Sequence, residues 1–548
     1  LTSRVYFLVY TIKLNCERIV KELAREIIRG ILAGKIRDRT SLAKEKARLA
    51  KLYRLKSMPR NSDILAHASE DEYEDVLPTL QKKPTRTLSG VAIIAAMTKP
   101  HKCPHGKCIY CPGGVEVEVP QSYTGKEPAA RRAIMHGYDP YKQVHARLEQ
   151  LDKIGHPIDK CELILMGGTL PSQPYDYQES FVKGCLRAMN DYPKISRRKQ
   201  GLGAIQKVNE SADVRCVGMT FETRPDYAFE PHVDTMLKLG GTKVELGVQT
   251  LSDAVYEKVE RGHTVADVAR ATQICRDSLL KVGYQMMPGL FSDEKDDLKT
   301  FKQLFSDDRF KPDLLKFYPC LVLKGTKLYE MWQKGEYHPY RTEQAVRLIA
   351  KIKKDLPPWV RVIRIQRDIP VDMVVDGVMK SNLRELVQGE MRAHGWSCGC
   401  IRCREIGLKM SKEGIKPDMG AIEMTRTDYK ASEGEEVFLS FEETSNNLLV
   451  GFLRLRKPSA NAHRAEMKGA AGIRELHVYG PMVEIGEKAR EKWQHRGYGQ
   501  ELLKEAEKIA SEEWGLDKIR VISGIGARNY YRRFGYGRVG AYMGKDLK

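Results

Sequence analysis

Short apolar runs of β type recur between residues 91 and 323, and segments with helical periodicity separate them. The runs are VAIIAAMT (91–98), CELILMGGT (161–169), RCVGMTFETRPD (215–226), KVELGVQT (243–250), KVGYQMMPGL (281–290) and LLKFYPCLVL (314–323). Alternation of strands and helices over this length predicts a parallel sheet with crossover helices. Six β/α units are fewer than the eight of a closed barrel, so we expect an incomplete (β/α)6 barrel of the α/β class, over 86–390.

The pattern changes from about residue 418. Four β-type runs, AIEMTRTDY, EEVFLSFEE, NLLVGFLRLR and RELHVYG, precede one helical run, GYGQELLKEAEKIASEEWG, and a further strand, KIRVISG. Consecutive strands that lead into a single helix predict an α+β domain over 418–548. A polar, glycine-containing linker over 391–417 separates it from the barrel.

The segment 1–85 is basic and has helical periodicity. We expect two or three short helices with a cationic face that contacts nucleic acid, the alternative being an ordinary solvated face. The net charge of +20 on the whole chain suits a polyanionic partner, although a lysine-rich surface is also typical of heat-adapted proteins.

The sequence also limits where the chain works. No run approaches the roughly 20 apolar residues of a membrane span, and no signal peptide is evident, so we expect no membrane partner. The twelve cysteines fall in clusters rather than along a disulfide framework. We therefore expect a cytoplasmic protein with metal sites.

Polar residues gather at the carboxyl ends of the predicted strands, where barrel enzymes build their active sites. Glu222, Gln249 and Lys316 are candidate catalytic groups that could orient a cofactor or a base. As buried structural salt bridges they would fit the sequence equally well.

The string CPHGKCIYC follows the first predicted strand and places Cys103, Cys108 and Cys111 in a C-x4-C-x2-C pattern. A zinc ion needs four ligands, and His101 or His105 would have to supply the fourth. Three thiolates can instead hold three irons of a 4Fe-4S cluster and leave the fourth iron to S-adenosylmethionine (SAM).

Together with MGGT after the second strand, this cluster resembles the radical-SAM superfamily. The resemblance implies that Gly167, Gly168 and Thr169 meet the methionine amino group of SAM through backbone carbonyls. Thr169 stands where the superfamily carries an acid, and the x4 loop is one residue longer than the usual spacing.

The string QHRGYGQELLKEA (494–506) opens the C-terminal helix with a glycine-containing loop, a form that lets backbone N–H groups approach a phosphate. With RELHVYG and NYYRRFGY it resembles the acetyl-CoA-binding GNAT fold; the alternative is a helix cap with packed tyrosines. The resemblance implies a pantetheine strand of Glu475, Leu476, His477 and Val478, a pyrophosphate loop of Arg496, Gly497, Tyr498, Gly499 and Gln500, and catalytic tyrosines Tyr530 and Tyr531 near the thioester.

A second cysteine cluster, Cys398, Cys400 and Cys403, lies in the linker and is compact enough to share one metal ion. We expect a structural zinc ion, with Cys320 from the last barrel strand as the fourth ligand. Reduced thiols without a metal are the alternative.

A radical-SAM barrel followed by a GNAT domain resembles the family of Elongator catalytic subunits, in its archaeal or bacterial form. The strings that carry the resemblance run from about residue 95 to the end: CPHGKCIYCPGG, QSYTGKEPAARRAI, MGGT, ETRPD, ELGVQT, RGHTV, LRELHVYG and RNYYRRFGY. Lys160 matches an acetyl-CoA-binding lysine of the family, the alternative being an exposed lysine at a strand edge.

The resemblance implies an acyltransferase that makes 5-carboxymethyluridine at the wobble position of tRNA. It would hydrolyse acetyl-CoA and use a SAM-derived radical to join the carboxymethyl group to carbon 5 of the base. We expect it to act alone or as a homodimer. Two other functions remain open: a protein lysine acetyltransferase with the barrel as scaffold, and a nucleic-acid-binding scaffold with acetyl-CoA as a mere ligand.

Overall fold

The computed structural model describes residues 18–55, 57–82, 86–195, 200–479 and 497–547. These residues belong to two compact units. The first contains the described residues up to Ala92 together with Ala146–Ile158, and the second contains the rest. Among the helices of these residues, none combines the length and the hydrophobicity that a membrane span requires.

The first unit is built from helices with one apolar face each. They are α1 (18–32), α2 (Arg39–Leu52), α3 (Asn61–Leu65) and α4 (Glu70–Leu80). Their shared core includes Leu23, Ile27, Leu49 and Ile64, all fully buried. The described residues of the segment 1–85 thus form four helices rather than the expected two or three.

The second unit begins with a seven-stranded sheet in the order β1-β2-β3-β4-β5-β6-β8. Its strands are β1 (Ala92–Met97), β2 (Lys160–Met166), β3 (Arg215–Thr223), β4 (Lys243–Gln249), β5 (Lys281–Met286), β6 (Leu314–Phe317) and β8 (Arg361–Ile365). From β2 onward every neighbouring pair is parallel. The incomplete barrel is confirmed. It has a seventh strand, β8, which was not predicted because its sequence, RVIRI, contains two arginines and only three apolar residues.

Helices connect these strands, as a parallel sheet requires. They are α5 (Pro128–Met135), α6 (Pro140–Lys153), α7 (Tyr175–Asp191), α8 (Leu202–Asn209), α9 (Glu230–Leu239), α10 (Asp253–Lys258), α11 (Val265–Asp277), α12 (Glu294–Ser306), α13 (Lys327–Gln333) and α14 (Thr342–Lys354). Strands β7 (Val322–Leu323) and β9 (Val374–Asp376) form a separate two-stranded sheet.

The predicted linker is largely helical. It contains the end of α15 (Leu383–Ala393), then α16 (Ile401–Arg404) and α17 (Ile406–Glu413). Gly414, with φ of +65°, ends α17 in the left-handed conformation that glycine adopts without strain.

A second seven-stranded sheet follows in the order β10-β11-β12-β13-β14-β16-β15. Its strands are β10 (Ile422–Ala431), β11 (Gly434–Glu443), β12 (Leu448–Lys457), β13 (Ala470–Val478), β14 (Lys518–Val521), β15 (Gly537–Val539) and β16 (Tyr542–Asp546), with helices α18 (Tyr498–Lys508) and α19 (Arg528–Arg532). Strands β10 to β13 are antiparallel and β13 pairs parallel with β14, which confirms the α+β domain.

The two sheets of this unit meet through buried charges. Asp313, just before β6, accepts from Arg474 of β13 at 2.6 Å, and Glu436 of β11 pairs with Arg276 of α11 at 2.8 Å. Seven side chains, each at most 1% exposed, form this interface charge network: Arg276, Asp277, Asp313, Glu436, Arg454, Arg456 and Arg474. Because Asp313 precedes its strand, the second sheet contacts the amino-terminal ends of the barrel strands.

Candidate functional site

The first cysteine loop follows β1 at the carboxyl end of the barrel sheet. The backbone N–H of Cys103 donates to the Gln121 side chain, which itself donates to Gly106 O at 3.1 Å. The N–H of Ser122 points at Cys111 Sγ at 3.1 Å. The QSYTGKE segment therefore holds the loop with its thiols turned inward.

The three thiols of this loop do not form a single-ion site. Among the described residues, the one group of three or more Cys, His, Asp or Glu ligand atoms within 4.8 Å of one another is a different one, Cys398, Cys400 and Cys403. The separation of Cys103, Cys108 and Cys111 speaks against zinc here, with or without His105. It fits a larger cluster in which separate iron atoms each take one thiolate.

One positive charge faces the buried Cys108. Arg261 donates to Cys108 Sγ at 3.5 Å and to Gly247 O at 2.6 Å. His105 Nε2 lies 3.2 Å from the same sulfur, and burial together with Arg224 and Arg261 lowers the pKa of His105 to about 3. The ring is therefore neutral at pH 7, and Arg261 is the cation that faces the sulfur.

The Gly167–Thr169 turn lies against the cysteine loop. A Cβ atom on Gly168 would stand 3.9 Å from Cys103 Sγ, and Thr169 Oγ1 is 3.8 Å from that sulfur. Both glycines have positive φ, +118° and +96°, and the Thr98 hydroxyl donates to Gly167 O at 3.1 Å. The structure thus brings the turn and the loop together, although the Gly167 carbonyl already has a partner.

Glu222 and Lys316 form a buried ion pair of 2.9 Å inside the barrel. Lys316 also pairs with Glu245, and Tyr123 donates to Glu222 at 2.8 Å. Burial would lower the pKa of Lys316, but the two carboxylates raise it well above its ordinary value. These residues therefore line the interior as a fixed charged group. Gln249 ends β4 with φ of +71°, and its buried amide oxygen has no partner among the described residues.

Lys160 lies at the other end of the barrel. It begins β2, a strand of seven residues, which places it about 20 Å from the turn at Gly167. Its side chain is 42% exposed, with Asp159 at 3.9 Å. In the sheet it pairs with Arg215, against which Gly526 of the second sheet's domain packs. Lys160 therefore belongs to the end that meets this domain.

Strand β13 continues beyond its parallel partner. Its last residue paired with β14 is Ile473, whereas its pairing with β12 extends to Val478. The backbone of Glu475 to Val478 therefore leaves one edge without a strand, and an extended ligand with amide groups can hydrogen-bond there.

The side chains of this edge are already committed or neutral. Glu475 accepts from Arg454 at 2.8 Å and pairs with Lys281 at 3.3 Å. Burial alone would raise the pKa of Glu475, but these two cations lower it to about 2. Burial lowers the pKa of His477 to about 4, so its ring is neutral at pH 7. Glu475 can therefore offer a ligand its backbone groups but not its side chain.

Helix α18 begins beside this open edge. Gly497 precedes it with φ of +85°, and a Cβ on Gly499 would lie 2.6 Å from the Tyr530 hydroxyl and 3.6 Å from Val478. The helix N terminus, Tyr530 and β13 therefore converge. Tyr531 is buried with its ring 5.3 Å from that of Tyr530. Arg496 lies outside the described residues.

Gly499→Ala tests this convergence. Alanine favours a helix by about 1 kcal/mol over glycine, but here its Cβ would displace the Tyr530 hydroxyl. We expect the variant to melt at or below the wild-type temperature, and Gly499→Ala in a Tyr530→Phe background to melt a few degrees higher than Tyr530→Phe itself. Equal effects of Gly499→Ala in the two backgrounds, measured by calorimetry, would contradict the contact.

The second cysteine cluster has a cation rather than a fourth thiol beside it. The thiols of Cys398, Cys400 and Cys403 fit one metal ion, and Lys353 Nζ lies 3.1 Å from Cys398 Sγ and 3.4 Å from Cys403 Sγ. Cys320 is not in the group. It packs in an apolar cluster with Cys108 and Tyr337, which corrects the expectation that it completes the site.

The sequence did not predict the contacts that Arg261, Tyr123 and Lys353 make in these sites. Arg261 lies in the RGHTV string and Tyr123 in QSYTGKE, so those strings signalled importance without assigning a role. Lys353 sits in an ordinary amphipathic helix, and nothing in its neighbourhood of the sequence singled it out.

The fold and the two sites define a radical-SAM barrel joined to a GNAT acetyltransferase domain. Family models agree over most of the chain: the ELP3 N-terminal domain matches residues 18–88, the Radical SAM superfamily 97–305, the Radical_SAM C-terminal domain 312–393 and the acetyltransferase (GNAT) family 413–536. The described helices α1 to α4 fall within the first of these matches.

Named relatives extend over nearly the whole chain. The tRNA uridine(34) acetyltransferase of Methanocaldococcus jannaschii is 51% identical over 96% of this chain and 98% of its own length. Elongator complex protein 3 of Homo sapiens is 41% identical over 96% and 97%. The archaeal Methanocaldococcus infernus Elp3, solved with an N-terminal deletion, is 48% identical with a TM-score of 0.74, over 84% of this chain and 99% of that one. The chain belongs to the Elongator complex protein 3 family.

Proposed function

We propose that this chain is a tRNA uridine-5-carboxymethyl synthase, which joins an acetyl-derived carboxymethyl group to carbon 5 of the wobble uridine. One observation carries the proposal: a three-thiol loop and an open acetyl-CoA-type strand edge occur in one compact unit. The relatives named for tRNA uridine(34) support tRNA as the substrate.

At the carboxyl end of the barrel, Cys103, Cys108 and Cys111 would hold a 4Fe-4S cluster. Such a cluster with SAM supplies a 5'-deoxyadenosyl radical when reduced. The Gly167–Thr169 turn would seat the methionine part of SAM, since Gly168 lies against Cys103. Gln249, with its unpartnered amide oxygen, would orient SAM or the base.

Glu222 and Lys316 would act in this site as a pair rather than separately. Their ion pair holds both side chains in place in the barrel interior, where they shape the field around the reacting groups. Tyr123 links the pair to the segment that holds the cysteine loop, through Ser122 and Cys111.

In the C-terminal domain, the open edge of Glu475, Leu476, His477 and Val478 would bind pantetheine amides. The α18 N terminus, with Gly497, Tyr498, Gly499 and Gln500 and the preceding Arg496, would bind the pyrophosphate. Tyr530 lies where the two meet and would position the thioester, with Tyr531 supporting its ring. Lys160, on the barrel end that meets this domain, would contact the cofactor.

The first unit would bind the tRNA backbone. Helix α2 exposes Lys44, Arg48 and Lys51 on its outer side. Arg48 is paired with Glu45, which leaves the two lysines better able to contact phosphates. A wobble base lies in a single-stranded loop and can enter a pocket without unpairing.

We also propose that Cys398, Cys400 and Cys403 bind a structural zinc ion. Their thiols meet the distance requirement for a shared ion, and thiolates are preferred zinc ligands. Among the described residues, no fourth Cys, His, Asp or Glu ligand joins the three.

The function is tested with anaerobically reconstituted full-length protein, SAM, reductant, tRNA and acetyl-CoA labelled with ¹³C in the methyl group. We expect 5'-deoxyadenosine, free CoA and labelled 5-carboxymethyluridine, the last measured by nucleoside mass spectrometry. The matched control is the same tRNA transcribed with cytidine at position 34, which should yield no labelled nucleoside.

Two results would reject the proposal. Absence of labelled nucleoside with a loaded cluster and intact SAM cleavage would show that the product is wrong. Transfer of the label to protein lysines at full rate, with or without the cluster, would instead identify a protein acetyltransferase.

A further inference from the structure

Lys353 is a buried cation that donates hydrogen bonds to sulfur atoms. It lies near the end of α14, is 1% exposed, and its ammonium is within hydrogen-bond distance of Cys398 Sγ and Cys403 Sγ. In the described part of the chain, the hydrogen bonds of the Lys353 ammonium go to these two sulfurs and not to a carboxylate. A lysine almost never lies this deep unless an anion pairs with it.

The sulfur atoms of the triad are the groups placed to supply this negative charge. Lys353 interacts electrostatically with all three, Cys398, Cys400 and Cys403. Cysteines bind a metal ion as thiolates, so a metal-loaded triad supplies the negative charge that the buried ammonium needs.

We infer that Lys353 is the charge-balancing donor of the metal site formed by Cys398, Cys400 and Cys403. A divalent ion held by three thiolates has a net charge of −1, which is costly in a buried site. The Lys353 ammonium, donating to two of the sulfurs from outside the coordination shell, brings the group to neutrality. This inference rests on the proposed zinc binding and goes beyond it.

Direct binding of the metal by Lys353 would be a different role, and it predicts a different absorption spectrum of the Co²⁺-loaded site. If its amine were itself the fourth ligand, the nitrogen would be neutral and bonded to the metal, and removing it would change the coordination. A donor outside the shell leaves the ligand set unchanged and affects only the affinity. The distances of 3.1 and 3.4 Å from nitrogen to sulfur are those of N–H···S contacts.

The test uses the full chain with Cys103, Cys108 and Cys111 replaced by serine, so that the second triad is the site measured. Zn²⁺ affinity is obtained by competition with a chromophoric chelator, and Co²⁺ reports the ligand set by its d–d absorption. We expect Lys353→Met to weaken Zn²⁺ binding about 10- to 100-fold with an unchanged Co²⁺ spectrum. If Lys353→Met does not fold, Lys353→Gln serves, with the same expectation because it also lacks the charge.

Lys354→Met is the matched control. Lys354 is the next residue of α14 but is exposed, with its ammonium 4.8 Å from the centre of the Trp396 ring. It should leave Zn²⁺ affinity unchanged within about two-fold, because water and salt screen its charge.

The outcomes separate the two proposals. Wild-type affinity in Lys353→Met overturns the role of Lys353 while leaving the zinc site intact, and an altered Co²⁺ spectrum overturns it in favour of direct ligation. If the protein takes up no Zn²⁺ that Cys398→Ser abolishes, the zinc site itself fails, and the inference with it.

Discussion

Cys108→Ser should reduce SAM cleavage by more than about 100-fold, because losing a cluster ligand should cost more than losing an outer-shell partner of a metal site. Cys108 is the sulfur that Arg261 and His105 face, and it is buried. A serine hydroxyl stays protonated at neutral pH and is a poor ligand for iron. The variant should also lose the broad visible absorption of the cluster after reconstitution.

The same variant should still bind acetyl-CoA with wild-type affinity. The open edge of β13 and the start of α18 lie in the C-terminal domain, which contacts the amino-terminal ends of the barrel strands rather than the cysteine loop. SAM cleavage is measured as 5'-deoxyadenosine by chromatography, and acetyl-CoA binding by calorimetry.

Cys185→Ala is the control for replacing a buried cysteine. Cys185 lies in α7 and is fully buried, but it belongs to the packing of the barrel and not to a cysteine cluster. It should retain the cluster and SAM cleavage at a cost of about 1 kcal/mol in stability. If Cys108→Ser cleaves SAM as well as Cys185→Ala does, the assignment of the cluster to this loop is wrong.

Asp313→Asn should lower the free energy of unfolding by about 3–5 kcal/mol, the range for breaking a buried ion pair. Asp313 accepts from Arg474 at 2.6 Å and lies 3.5 and 3.6 Å from Arg276 and Arg454. Its neutral amide would leave three buried guanidinium groups sharing fewer negative charges. Urea unfolding followed by tryptophan fluorescence measures the change.

Asp307→Asn is the matched control, because its partner Arg309 is 59% exposed and ion pairs that reach the solvent are worth little. It should change stability by no more than about 0.5 kcal/mol. A loss below 1 kcal/mol for Asp313→Asn would mean that the network does not hold the two sheets together.

The network should also make the protein sensitive to acid. Burial alone would raise the pKa of Glu475, but Lys281 and the network residue Arg454 hold it at about 2, against an ordinary value of 4.5. A lowered pKa in the folded state contributes stability above the unfolded pKa, and that stability disappears as the pH falls. The wild-type protein should therefore lose stability between about pH 5 and pH 2, and Arg454→Met should lose less over that range.

Local sequence signals predicted much of the site. The C-x4-C-x2-C string and the MGGT turn each belong to one short loop, and their placement after successive strands was enough to predict that they meet. The structure places Gly168 beside Cys103. Parallel strands bring consecutive carboxyl ends to one edge, so strand order alone carries this information.

Contacts between distant segments could not be predicted in the same way. Cys320 suited the second cysteine cluster by residue type, yet it packs with Tyr337 in an apolar cluster, and Lys353 stands beside the triad instead. Residue type specifies what a side chain can bind, but the packing of the helices decides which side chain lies beside the cysteine triad.

The sequence by itself determined the two domain folds, the cysteine loop and the family resemblance, because periodicity and short motifs are properties of contiguous residues. Only the tertiary structure decided which charges pair. Glu222 and Lys316, for which the sequence left catalytic groups and structural salt bridges equally open, are partners of each other, and Lys160 lies at the opposite end of the barrel from the cysteine loop. The physical reason is that a buried charge needs an opposite charge within a few ångströms, and the fold selects it from anywhere along the chain.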